Sequence, residues 1–156
     1  MVRNVVRARS ERGAAVVEFA LVSTLLITLV VGIMSYGYML SFRQGISQGA
    51  AEGARAAAVA PATFSAAQKQ TAAQNAVNQA LDSYGVQCDG TNLVRNGSSV
   101  GSCSVTIGTC ANNTAKQCAS VLLDYGYRAN PLIPSFPGLG VTLPSNLRYT
   151  SVAEVS

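Results

Sequence analysis

The stretch Arg12-Gly13-Ala14-Ala15-Val16-Val17-Glu18-Phe19-Ala20-Leu21-Val22 opens a segment with no charged residue between Glu18 and Arg43. As a helix, Phe19 to Phe42 would reach about 36 Å, enough to cross a bilayer core of about 30 Å. Upstream, Arg3, Arg7, Arg9 and Arg12 against Glu11 give the first 13 residues +3, so the formal net charge of +4 leaves only +1 for the rest. Cations before the apolar run place the N-terminus in the cytoplasm and export the C-terminal part of the chain. A cleaved secretory signal would have an apolar core of about 7–15 residues followed at once by a small-residue cut site. This run is longer, and Ala56 to Ala60 comes after a polar stretch with Arg43, Glu52 and Arg55. The segment therefore reads as a retained anchor: a basic leader over 1–13, a long helix over 14–60 with its span at about 19–42, and an exported domain over 61–156.

Outward from the span, helix formers and glycines continue to Pro61, which cannot prolong a helix. Unbroken from Ala14 to Ala60, that helix would measure about 70 Å. Gly37, Ser41, Gly45, Gly49, Gly53 and Ala57 recur every fourth residue, on one slowly drifting face. Such a face admits a close-packed helix. Its partner is either a neighbouring subunit or the second helix of the same chain, and both readings stand at this level.

That second helix is predicted over Ser65–Tyr84. Ser65 and Gln68 make a capping-box pattern, Ala66, Ala73, Ala76, Val77, Ala80, Leu81 and Tyr84 form an apolar stripe, and Gly85 suits the terminus. Beyond Gly85, strands are expected at Cys103–Ile107, Ser120–Tyr127 and Leu147–Val155. Asn130–Pro144, with four of the five prolines, reads as an ordered loop. The fold class that results is α+β: a long N-terminal helix, a second helix and a small antiparallel sheet. Cys88, Cys103, Cys110 and Cys118, behind an export segment, read as two disulfides. The simplest pairing is Cys88 with Cys103 and Cys110 with Cys118, although spacing leaves the other two connectivities open. No CxxC pair or histidine occurs, so no metal site and no cofactor are expected. The near-neutral exported part lacks the basic patch that nucleic-acid binding requires.

Glu18 is the anomaly. A carboxylate in an apolar helix costs on the order of 2–3 kcal/mol near the bilayer centre and less at its edge. Either Glu18 marks that edge or it has a partner. A cut after Gly13 would free an amino group at Ala14, about one turn away, and a neighbouring subunit's amine could neutralise the carboxylate.

The run Gly13-Ala14-Ala15-Val16-Val17-Glu18-Phe19 resembles the type III signal of type IV pilins. In those proteins a prepilin peptidase cuts after glycine, on the cytoplasmic side, and leaves the helix attached. Gly13, Glu18 and Phe19 match the glycine before the cut, the glutamate at the fifth mature position and the aromatic at the sixth. Ala14 departs from the usual aromatic or methionine. With Gly49-Ala-Ala-Glu-Gly-Ala-Arg-Ala-Ala-Ala-Val59, and with Val121-Leu-Leu-Asp-Tyr-Gly-Tyr127 followed by Asn130-Pro-Leu-Ile-Pro134, the chain resembles the TadE-like family. These are minor pilins or pseudopilins of the tight-adherence (Flp) pilus. The likeness spans 12–60 and, less specifically, 120–154, and is absent over 86–118.

The resemblance implies a bacterial inner-membrane precursor, an extracytoplasmic mature domain, and assembly into a filament with other pilins. Its partners would be a prepilin peptidase, pilus-assembly membrane proteins and, before assembly, membrane lipid. Glu18 and Phe19 would act in assembly, and Gly37, Gly45, Gly49 and Gly53 in helix packing. The alternative is a membrane-tethered binding protein, tip adhesin or DNA-uptake subunit outside that system. A tethered enzyme would have to draw on Asp82, Asp89, Asp124, Glu154 and serines, which form no paired catalytic motif, so no enzymatic activity is expected.

Overall fold

A computed structural model describes residues 3–133 and 143–155, with side chains from Gly13 onward; most of the expected proline loop Asn130–Pro144 lies outside the described residues. The chain divides into two units, one ending at Gly37 and the other beginning at Tyr38. Helix α1, Arg3–Ala58, contributes to both.

In the first unit, the α1 residues from Gly13 onward present apolar side chains outward nearly all round: Val16, Phe19, Leu25 and Ile33 are all more than half exposed. A helix with no polar face is suited to lipid or to other helices. Its hydroxyls are satisfied within the helix. Thr24 Oγ1 donates to the Ala20 carbonyl at 2.8 Å, Thr28 Oγ1 to Thr24 at 2.8 Å, and Ser23 Oγ to Ala20 at 3.1 Å. These bonds lower the penalty for carrying hydroxyls into hydrocarbon.

The second unit is an α+β domain. Its share of α1 buries Met39, Phe42, Ile46, Ala50, Ala54 and Ala57 on one face of helical period. The last α1 turn closes with Val59 N–H donating to the Arg55 carbonyl at 2.9 Å. The helix stops at Ala58, short of the expected Ala60, because Pro61 disfavours helical geometry at the residue before it. Helix α2 spans Ala66–Leu81. Both bonds of the Ser65/Gln68 capping box form, a 3-10 turn comes next at Asp82–Tyr84, and Gly85 takes the left-handed conformation at φ 65°.

Five antiparallel strands are arranged in sequence order: β1 Val86–Asp89, β2 Asn92–Arg95, β3 Ser98–Cys110, β4 Asn113–Tyr125 and β5 Leu147–Val155. Strand β5 has the expected bounds. Strand β3 extends well past Cys103–Ile107, and β4 starts at Asn113 rather than Ser120 and stops two residues before Tyr127. The β1–β2 hairpin is additional to the expectation. Its strands are too short for a visible alternation, but Asn96-Gly97 marks the β2–β3 turn, with φ 50° and 76°. Positive φ at both central residues is the twist-matched two-residue hairpin turn.

From Cys118 to Tyr125, strand β4 alternates. Ala119, Val121, Leu123 and Tyr125 are fully buried, while Ser120, Leu122 and Asp124 face the other way. One sheet face thus carries the core, and the other is mixed, with Ser120, Leu122 and Asp124 of β4 on it. Phe42 joins helix to sheet, with its ring centroid 4.8 Å from Tyr125 and 5.0 Å from Tyr84, both edge-to-face. The Tyr84 hydroxyl also donates to the Ser41 carbonyl at 3.0 Å. Tyr125 donates to the Asn130 carbonyl at 2.8 Å.

Replacing Gly53 by Ala should lower stability by about 1–3 kcal/mol, because its Cβ would lie 2.7 Å from Val77 Cγ2 and 3.2 Å from the Ala73 carbonyl oxygen. Gly108→Ala, where a Cβ would meet nothing within 4 Å, should not. Denaturant unfolding of the full chain in detergent measures both. Burial raises the Tyr125 phenol above its ordinary 10.0, against an opposing pull from Arg95. Tyr127 is raised by burial and by Tyr125 and Tyr38. The folded state therefore holds these protons to higher pH than the unfolded state does. The stability they contribute is intact below pH about 10 and is lost as pH rises through the folded values. Tyr125→Phe should flatten that alkaline loss in unfolding curves taken between pH about 9 and 12.

Candidate assembly helix and processing junction

Gly13 and Ala14 lie inside α1 and are exposed, and a Cβ at Gly13 would meet nothing within 4 Å. Four residues on, Glu18 is exposed, and Phe19 beside it is 74% exposed. One helical turn, about 6 Å of rise, separates Glu18 from Ala14. Glu18 forms no ion pair among the described residues. The carboxylate is therefore open to a cation presented from outside the chain, and an amine in apolar surroundings would suit it.

The small-residue stripe divides. Gly45, Gly49 and Gly53 are buried inside the second unit. A Cβ at Gly45 would come 2.7 Å from Tyr84 Cε2, and one at Gly49 would touch Leu81 Cγ at 3.5 Å and Leu123 Cδ1 at 3.7 Å. Gly53 faces Val77 and Val121. Ser41 shares a hydrogen bond with Tyr84, and Ala57 is fully buried. From Gly45 to Gly53 the stripe is covered by this chain's own α2, β4 and Tyr84. Gly37 has no such cover, with nothing within 4 Å of its built Cβ.

Disulfides join Cys88 to Cys103 and Cys110 to Cys118, with Cα–Cα distances of 5.7 and 4.9 Å. The first ties β1 to β3 across the intervening β2, and the second closes the tip of the β3–β4 hairpin. In the chain-entropy picture, a loop of about 15 residues contributes roughly 3 kcal/mol. No thiol is left free.

The remaining polar residues hold the fold. Arg128 Nε donates to the Leu143 carbonyl at 3.0 Å, and Arg95 donates to the carbonyls of Pro131 and Leu132 at 3.4 Å. Asp82 caps α2, Asp89 ends β1, Asp124 accepts from Asn146 Nδ2 at 2.8 Å, and Glu154 pairs with Lys116. These carboxylates lie on different elements. Among the described residues, no three His, Cys, Asp or Glu side chains form a metal-holding group.

One polar stripe escaped the sequence reading. Gln70, Gln74 and Asn78, each four apart on α2, bond to the sheet backbone. Asn78 accepts from the Cys88 N–H at 2.6 Å and donates to the Cys88 carbonyl at 3.3 Å. Gln74 donates to Gly90 and Gln70 to Val105. Asn78 thus occupies both backbone groups of an edge-strand residue that would otherwise be open to another chain. The fourfold amide spacing was the available signal.

Gly13–Ala58 is long and apolar enough to cross a membrane. No curated protein and no solved structure matches the chain. The family match ends before the 120–154 segment, so it gives no support to the weaker resemblance there. Residues 13–55 match the family model described as TadE-like protein, and it is over this stretch, from Gly13 past the last glycine of the stripe, that the chain is similar to that family.

Proposed function

We propose that this protein is a minor pilin, or pseudopilin, of a tight-adherence pilus, with a structural and not a catalytic role. The observation that supports the reading is that the family match, residues 13–55, falls on the part of α1 that holds the apolar run, whose side chains from Gly13 to Gly37 are mostly exposed. The helix waits in the bacterial inner membrane with its N-terminus in the cytoplasm and the disulfide-bonded domain outside. A prepilin peptidase cuts between Gly13 and Ala14. The mature helix then leaves lipid for the shared core of a filament, joining other pilins.

Apolar surface is covered in both places, so the transfer costs little hydrophobic energy. Direction and register come from polar groups and from packing. Glu18 supplies the polar group. Unpaired in hydrocarbon it is costly, and a neighbour's Ala14 amine relieves that cost at one axial position.

Gly13→Glu should leave an uncut precursor on a gel, and its normal maturation would rule out the type III signal. Intact mass of the wild type should give a chain starting at Ala14, four hydrogens lighter than the fully reduced form. Glu18→Ala should insert and mature normally yet assemble fewer filaments, and unchanged pilus counts would defeat the register role.

A further inference from the structure

The two sides of the sheet are guarded differently. On one side, strand β1 is four residues long, and Gln70, Gln74 and Asn78 of α2 bond to the backbone of Val105, Gly90 and Cys88. On the other, strand β5 is nine residues long. Its pairing with β4 runs from Leu147 to Val155 without a register shift, and it contains no Gly, Pro or Lys. Among the described residues, the backbone of β5 hydrogen-bonds to β4 alone. Short length, bulges, prolines and lysines are the ordinary protections of a sheet edge, and β5 has none of them.

The residues of β5 narrow the occupant. Leu147-Arg148-Tyr149-Thr150-Ser151-Val152-Ala153-Glu154-Val155 carries opposite charges one residue in from its two ends. A second copy laid antiparallel, with Ser151 opposite Ser151, pairs the whole strand. Every pair then joins two odd or two even positions, so each side chain keeps to its own face of the sheet. Any other register leaves strand ends unpaired. In the full-length register, Arg148 lies opposite Glu154 of the second copy, and the reverse pair forms by symmetry. Both side chains are exposed. Within one chain, Glu154 pairs with Lys116, and Arg148 lies across from Asp124. The joined sheet would therefore carry a row of alternating sign: Lys116 and Glu154 of one chain, then Arg148 and Asp124 of the other. Opposite charges across strands attract, and like charges repel. Val152, 60% exposed, gains the β-branched Thr150 as its neighbour.

We infer that β5 is a pairing edge for a second copy of this chain, joined antiparallel about Ser151 into one continuous sheet. The pair is two-fold and closed, because its outer edges are the two β1 sides that α2 guards. Within each chain, α1 runs along β4 in the opposite direction, with Phe42 against Tyr125 and Gly53 against Val121. A two-fold axis normal to the sheet sets the buried halves of the two α1 helices in opposite directions. The contact is thus distinct from the helix packing proposed above and does not rest on it. It joins chains that approach from opposite directions, from two assemblies and not from within one.

The test uses the full chain in detergent. No native thiol is free, so Ser151→Cys adds a single one. Opposed residues of an antiparallel pair have Cα atoms about 4.5–5.5 Å apart, within disulfide range. Mild oxidation should link Ser151→Cys to its own copy and leave Val152→Cys, which faces Thr150, unlinked. Arg148→Glu and Glu154→Arg should each weaken the dimer about tenfold in sedimentation. Mixed in equal amounts, these two variants should recover it, since every like-charge pair becomes an opposite one. Disulfide content and circular dichroism identify any variant that fails to fold, and Arg148→Lys, which keeps the charge, should dimerise nearly as wild type does. A monomeric wild type, or linkage of Val152→Cys in place of Ser151→Cys, would overturn the pairing. Dimers indifferent to both charge reversals would also overturn it and would assign the association to the apolar helix.

Discussion

The close seat of α1 on α2 and β4 is the contact on which the rest depends. Gly45, Gly49 and Gly53 remove side chains where Tyr84, Leu81, Val77 and Val121 need room. With that room, Phe42, Ile46, Ala50, Ala54 and Ala57 reach the sheet and become fully or almost fully buried. A modest domain has little apolar surface to spend on stability. Here a helix rich in glycine and alanine supplies one wall of the core, with aromatic rings at one end and small residues along the rest. The same contact divides the labour of α1: its second half is used within the chain, while the side chains from Gly13 to Gly37 stay mostly uncovered.

That division bears on how such a subunit could serve two environments. An element that moves from lipid to a protein core must not need its own domain to cover it. Its hydroxyls must also be satisfied without outside help, as Thr24 and Thr28 are by back-bonding along the helix. In the domain, by contrast, polar groups bind to one another and to backbone. Arg95, Arg128 and Asn78 each satisfy carbonyl groups of the chain itself, and the disulfides lock β1 to β3 and the hairpin tip. The domain is thereby held independently of the surroundings of the apolar helix.

Much of this was legible in the residues. The charge gap from Phe19 to Phe42, Pro61, the Ser65–Gln68 box and Gly85 mark both helices, because each is a local rule about backbone or solvent. The bounds of β5 were legible because Gly- and Pro-rich sequence precedes it. The ends of β3 and β4 were not, since Asn113 and Gln117 pair with β3 through the hairpin although the stretch between them has low strand propensity. The hairpin β1–β2 was missed because four-residue strands show no period, although Asn96-Gly97 announced its far turn. The stripe's partner could not be read at all. Spacing fixes a face, but which helix meets it is a matter of tertiary contact, and the domain's own α2 meets Gly49 and Gly53. Glu18 was singled out by residue type and the Gly13–Ala14 junction by the family resemblance, and both lie exposed on α1.

The claim that the second half of α1 belongs to the domain can be measured directly by hydrogen–deuterium exchange on the full chain in detergent. Amides from Phe42 to Ala57 should open together with those of β4, with the same protection and the same response to denaturant. Exchange of 42–57 by a separate, faster opening while β4 stays protected would contradict the account.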